Sequence, residues 1–309
     1  MIWAVWPRRN YRRGNRPGSL KLLRMKDVAG DRFGVLLREW RGRRHTSQLD
    51  LAMRAEISQR HVSFVESGRA RPSREMVLKL AAALEVPLRA RNEMLVAAGY
   101  APLYPERPLH AAELTIAHHA LERILGHHEP YPAMVLDGAW NIVMRNATSS
   151  RIIEHCVDQN AMKQLSPDGR LNFIRMMFAP NGMRRHVRNW AHIGPVLMTR
   201  LRREAAAYPG SPSDLLMREL LAGDASPPTP TGIPEELLEP VIPLELRIDD
   251  VRLRLVNTIT TFGTPQDVTL QELRIEMSFP ADGETDHVLR HWGRVEGDAS
   301  AARRIMQGM

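Results

Sequence analysis

The stretch from Ser47 to Val86, SQLDLAMRAEISQRHVSFVESGRARPSREMVLKLAAALEV, leaves little choice of fold. Its apolar residues recur at three- and four-residue spacing, but never for long, so it must break into short helices. Leu49, Leu51, Ala52 and Ala55 mark the first. Ser58 is a residue type that caps helix starts, and Val62 and Val65 are the inward residues of the helix that follows it. Ser73 caps a third, with Glu75 and Met76 close behind and Met76, Val77, Leu80, Ala81 and Leu84 facing inward. The connection RAEIS between the first two is short. The middle helix opens on Gln59-Arg60-His61, three large polar side chains that a core helix does not need.

The flanks extend the same pattern. DRFGVLLREWRGRR places Phe33, Leu36, Leu37 and Trp40 on one face, and PLRARNEMLVAAG begins near Pro87 and ends at Gly99, a C-terminal cap. Residues 31–99 therefore read as one all-α domain of five helices. Charge points to its partner. Residues 1–30 hold eight Lys and Arg against one acid, and residues 31–99 hold thirteen against eight. With +8 overall, the remaining residues carry −4. A basic front and an acidic back fit a polyanion bound at the front only.

The major groove of B-DNA admits one α-helix, apolar behind and polar in front. Gln59, Arg60 and His61 project from the front of the middle helix, with Ser63 and Phe64 one turn on. Gln pairs bidentately with adenine and Arg with guanine, and Phe64 suits a thymine methyl. Gln48, Arg69, Arg71 and Arg74 are placed for phosphate contacts. Gln48, Leu51-Ala52, Ile57-Ser58, Val62, Phe64-Val65-Glu66, Ser67-Gly68-Arg69, Pro72 and the Leu80/Ala81/Leu84 run together resemble the XRE-family, lambda-repressor-like helix-turn-helix. The resemblance covers residues 31–99 and implies sequence-specific binding of double-stranded DNA as a homodimer. It also implies a structural part for Glu66. Glu56 departs from the pattern, because the family usually has glycine in that turn, and it is expected to strain a left-handed position.

Residues 1–30 show no period and read as a disordered basic arm that could wrap DNA; Met25 is an alternative start. YAPLYPERPLH, with three prolines, makes residues 100–109 a linker. AAELTIAHHALERILGHH is one amphipathic helix ending near Gly126. Two apolar runs then flank Asp137-Gly138, a hairpin signal, and helical stretches recur from about 149 to 221. GDASPPTPTGIP is a Pro-rich loop. LRLVNTITTFG and TLQELRIEMSF alternate as strands and are expected to pair antiparallel, with Asp249-Asp250 as a turn before them. Residues 110–295 thus form an α+β domain with an antiparallel sheet, and residues 296–309 a frayed tail.

VLDGAWNIVMRNATSS, LNFIRMMFAPNGMRRHVRNW and LRREAAAYPGSPSDLLMRELL resemble the MmyB-type ligand-binding domain, which is PAS-like. The resemblance implies a small, fatty-acid-like effector rather than a cofactor. Such a pocket needs apolar walls and one or two polar groups for the head. Met144, Phe173, Met177, Phe178 and Trp190 supply walls, and Asn146, Arg175 or Arg188 suits a carboxylate. Residues 222–246 depart from the family pattern, and a domain used only for dimerisation or partner docking remains an alternative.

Other chemistries find no support. His118, His119, His127, His128 and Glu129 suggest metal, but the adjacent histidines point about 100° apart on a helix and no HExxH is present. No Gly-rich phosphate loop, GxSxG or paired-carboxylate pattern occurs, so no catalytic residue is assigned and an enzyme is not expected. Cys156 is the single cysteine, which suits a reducing compartment, and no apolar run approaches ~20 residues. A soluble cytoplasmic protein is the expectation.

Overall fold

The computed structural model describes residues 26–166, 169–222 and 241–293. The basic arm up to residue 25, the whole Pro-rich stretch and the C-terminal tail lie outside them. The described chain divides into two units: residues up to Glu85 with Glu93–Ala101, and Val86–Asn92 with everything from Pro102 onward.

The first unit carries α1 (Lys26–Arg43), α2 (Gln48–Arg54), α3 (Gln59–Glu66), α4 (Arg74–Ala83) and α5 (Leu88–Ala97), whose first turn is counted with the second unit. Helix α1 begins at Lys26, inside the stretch expected to be a disordered arm. Local chemistry sets most of the boundaries. Ser47, Ser58 and Ser73 each accept a backbone N–H from the first turn of the helix that follows, which satisfies a donor the helix itself cannot. Asp50 answers Ser47 in a capping box. Gly68 and Gly99 end α3 and α5 at φ 72° and 84°.

Phe33, Leu37, Trp40, Leu51, Ala52, Val62, Val65, Val77, Leu80 and Leu84 are buried, as their spacing predicts. Leu49 is not: it is 52% exposed. Leu49 and Leu51 lie two residues apart, about 200° around a helix, so they cannot share a face. Gly34 in α1 lets α3 come close. A Cβ at Gly34 would lie 2.5 Å from the Glu66 carbonyl oxygen and 2.9 Å from that of Val65.

The second unit is built on a five-stranded antiparallel sheet of order β2-β1-β5-β4-β3. Its strands are β1 (Ala133–Leu136), β2 (Ile142–Arg145), β3 (Leu244–Ile248), β4 (Val251–Thr260) and β5 (Arg274–Pro280). The predicted hairpins form, β1 with β2 and β3 with β4, and Asp249 takes φ 51° in the tighter turn. The expected β4–β5 pairing also forms, with Leu255 opposite Pro280 and Thr258 opposite Met277. The run TLQE is helical, though expected as strand. Asp267 accepts the Thr269 N–H and caps α12 (Val268–Glu272), so β5 starts only at Arg274.

One sheet face packs on α6 (Thr115–His127): Ala133, Val135 and Ile275 meet Leu121 and Leu125. The other face holds the larger core. There Leu136, Leu246, Ile248, Leu253 and Leu255 meet α7 (Ala147–Cys156), α8 (Gln159–Leu165), α9 (Phe173–Phe178), α10 (Trp190–Ala207) and α11 (Pro212–Ala222). A last helix, α13, runs over 283–293. Strand β1 is apolar along its length because it is central and covered on both sides.

Candidate nucleic-acid interface and ligand cavity

Helix α3 shows two faces. Val62, Val65 and Glu66 are buried, whereas Gln59 and Arg60 are exposed and His61, Ser63 and Phe64 half-exposed. The buried carboxylate fixes the helix. Glu66 is 3% exposed at its side chain and accepts from Arg41 Nε at 2.7 Å, Arg41 Nη2 at 3.2 Å and Gln48 Nε2 at 2.7 Å. Its backbone carbonyl accepts from Arg38 Nη2 at 3.0 Å. Hydrogen bonding to the Glu66 carboxylate raises the Arg41 pKa. Helices α1, α2 and α3 are thus locked together behind the exposed face.

The arginines of this unit separate by partner. Arg38 and Arg41 hold Glu66, and Arg44 donates to the Leu84 and Glu85 carbonyls past the end of α4. Arg71 donates through Nε and Nη2 to the Ala98 carbonyl and lies 5.7 Å from the Tyr100 ring. That geometry is a staple between the loop after α3 and the end of α5, a role its sequence position did not reveal. Arg60, Arg69 and Arg74 are exposed, and among the described residues none has a hydrogen-bond or ion-pair partner. These three, like the exposed Arg32, Arg54 and Lys79, are open to an external anion. Gln48 is half-exposed, and one amide N–H is spent on Glu66. Glu56, in the turn before α3, sits at φ 53°, the left-handed position anticipated for it.

The second unit brings Phe173, Met177, Phe178 and Trp190 together in its main core and places Met144, Asn146, Arg175 and Arg188 apart from them. Phe173, Met177 and Phe178 are 6%, 1% and 0% exposed within the main core. Trp190 packs beside them, edge-on to Phe178 at 5.0 Å, and its buried Nε1 has no hydrogen-bond partner among the described residues. Asn146 is 6% exposed and works on the backbone. Its Oδ1 accepts from Ala133 and Ser149, and its Nδ2 donates to the Tyr131 carbonyl. Arg175 is held by both oxygens of Glu219 at 2.8 and 2.7 Å. Arg188 is exposed.

Met144 alone of the set lines a cavity of about 780 Å³. Ile142, Val143 and Met144 of edge strand β2 form one apolar wall, and Arg89, Arg107 and Arg170 are its cations. Glu272 accepts from Arg89 Nε at 2.7 Å and Nη2 at 3.0 Å, and Asp267 accepts from Arg107 at 3.1 Å. The loop 137–141 closes another side. There Asp137 accepts the N–H groups of Ala139 and Asn141, both at 2.9 Å.

That loop also carries Trp140, fully buried at φ 66° and missed in the sequence. The Arg200 and Arg274 guanidinium carbons lie 4.4 and 4.2 Å from its ring centroid, and its Nε1 donates to Glu204 at 2.9 Å. Glu204 also takes Arg274 Nη1, and Glu276 takes Arg200 Nη1 at 2.7 Å. Two cations and two carboxylates balance, which is how charge is tolerated in a core. Cys156 is buried there too, and burial pushes its thiol up to about 12, so it is not poised as a nucleophile.

Comparison with known proteins adds an independent observation. Residues 117–291 match the family described as MmyB-like transcription regulator ligand binding domain, and residues 37–90 match the family described as helix-turn-helix. Among solved structures, the clp gene regulator ClgR from Corynebacterium glutamicum is 22% identical over 34% of this chain and 98% of its own, with a TM-score of 0.22. An RNA-binding light-oxygen-voltage receptor is 11% identical over 93% of this chain and 69% of its own, with a TM-score of 0.25. No curated protein matches the chain.

Proposed function

The chain belongs to the MmyB-like transcription regulator family, and we propose that this DNA-binding regulator reads a specific duplex sequence with α3 under control of a small apolar acid. Gln59, Arg60, His61 and Ser63 face base edges in the major groove, with the Phe64 ring beside Arg60. Gln48, Arg69 and Arg74 meet phosphates on either side. The observation that carries the reading is the separation of arginines. Arg38, Arg41 and Arg44 are spent on the fold, whereas among the described residues Arg60, Arg69 and Arg74 have no hydrogen-bond or ion-pair partner. A homodimer in the cytoplasm would present two such helices to two half-sites.

The acid is assigned to the second unit, in the cavity beside β2, with its chain along Ile142, Val143 and Met144. Its carboxylate would meet a guanidinium already paired to a protein carboxylate, so binding exchanges one anion for another. A second reading has its own support. The expected walls Phe173, Met177 and Phe178 are closed core, which favours a domain that only dimerises or docks a partner.

Selection from a pool of randomised duplexes tests the first part. Arg60→Ala should relax preference at one base pair by about 1–3 kcal/mol, whereas Arg74→Ala should weaken all duplexes alike. Equal losses on every duplex from Arg60→Ala would remove Arg60 from base reading. Native mass spectrometry of gently purified protein decides the second part. One fatty-acid mass per chain supports the sensor; an empty dimer that still binds DNA supports the docking module.

A further inference from the structure

We infer that Phe64 is a positioning residue, the platform that holds Arg60 and Arg69 in their DNA-facing directions, rather than a base contact in its own right. This rests on the DNA-binding reading above. The Arg60 guanidinium carbon lies 5.2 Å from the Phe64 ring centroid, and that of Arg69 lies 6.0 Å from it. Both distances are within the range of cation–π attraction. Among the described residues neither arginine has a hydrogen-bond or ion-pair partner, so the ring is what they share.

Phe64 is itself well fixed. It is half-buried on the helix that Glu66 anchors, and its carbonyl accepts from Ala70 N at 3.1 Å and Ser67 Oγ at 3.2 Å. Those two bonds fold the loop back and bring Arg69 toward the ring. Arg60 comes from one turn earlier on the same helix, the spacing at which side chains meet. A free arginine has many rotamers to lose on binding. One stacked on a fixed ring has already lost part of that freedom. Two like charges drawn to one ring also favour a polyanion beside them. Base preference and backbone affinity then depend on one aromatic side chain.

The test uses the full chain and the duplex selected from the randomised pool. Phe64→Leu keeps an apolar side chain of similar bulk but no π-face. It should lower discrimination at the base pair read by Arg60 about two- to five-fold, and overall affinity by a similar factor through Arg69. Phe64→Tyr should restore both. In an Arg60→Ala background, Phe64→Leu should no longer change discrimination. The inference is overturned if Phe64→Leu costs as much discrimination with Arg60 absent, or if its effect disappears when thymines in the site are replaced by uracils, since either makes Phe64 a direct contact. A wild-type protein that selects no sequence would overturn the DNA reading itself, an outcome read from the selection before any variant is made.

Discussion

Removing the Glu66 carboxylate tests whether α3 is held as argued. Glu66→Ala deletes three hydrogen bonds, two from Arg41 and one from Gln48. It leaves Arg41 at 20% exposure with one remaining acceptor, the Thr46 carbonyl at 3.0 Å. Breaking a buried ion pair from one side costs about 3–5 kcal/mol. Arg41 keeps some water and one carbonyl, so we expect the lower end, about 3 kcal/mol. Native-state hydrogen exchange should then show α2 and α3 amides losing about 100-fold in protection where they exchange through opening of this unit. The double variant Arg41→Met with Glu66→Leu replaces the pair by apolar bulk and should recover to within about 1 kcal/mol of the parent. A loss below about 1 kcal/mol in Glu66→Ala, or a double variant no better than the single, would refute the reasoning.

Three further outcomes follow from particular residues. Gly34→Ala forces a Cβ against the backbone of α3 and should cost about 1–3 kcal/mol, read as a lower melting temperature; an unchanged value would show that α1 and α3 can separate freely. Glu56→Gly relieves a left-handed non-glycine and should stabilise the first unit by about 1 kcal/mol, measured by the same exchange experiment, with no gain counting against strain in the turn. Asp214, Asp282 and Asp286 have pKa values lowered by the Gly210 N–H, the Thr285 N–H and the Tyr131 hydroxyl respectively. Their contribution to stability is complete above about pH 4 and fades as pH falls through the lowered values. The melting temperature should therefore drop below pH 4, and less steeply in a variant carrying asparagine at all three positions; an identical slope would place the acid sensitivity elsewhere.

Much of the first unit was legible because its signals are local. A serine before a helix finds its N–H within three residues, and an apolar period of three to four declares a face wherever it occurs. Leu49 misled only because two leucines two residues apart were assigned to one side of a helix. The buried part of Glu66 came from resemblance, since no local rule puts a glutamate in a core. Arg71 shows the limit in the first unit: sequence places a cation just past α3 but does not reveal that the Ala98 carbonyl holds it. In the second unit the hairpins were readable from Asp-Gly and Asp-Asp turns. Whether the expected ligand walls stand open or closed was not. Phe173, Met177 and Phe178 have the composition of a pocket, but only packing decides whether apolar side chains line a space or fill it. Trp140 was missed because its neighbours Arg200, Glu204 and Arg274 are distant in the chain.

The sheet order carries a consequence for how the protein is made. Strand β1 ends at Leu136, yet its inner neighbour β5 runs from Arg274 to Pro280. During synthesis the β1–β2 hairpin must wait, one edge unpaired, until almost the whole second unit has left the ribosome. The residues of the first unit are all available by Ala101. A chain interrupted anywhere between would therefore carry every residue of α3 and none of β5. Such a fragment would have the complete first unit without the full sheet of the second, and an unpaired strand open to another chain.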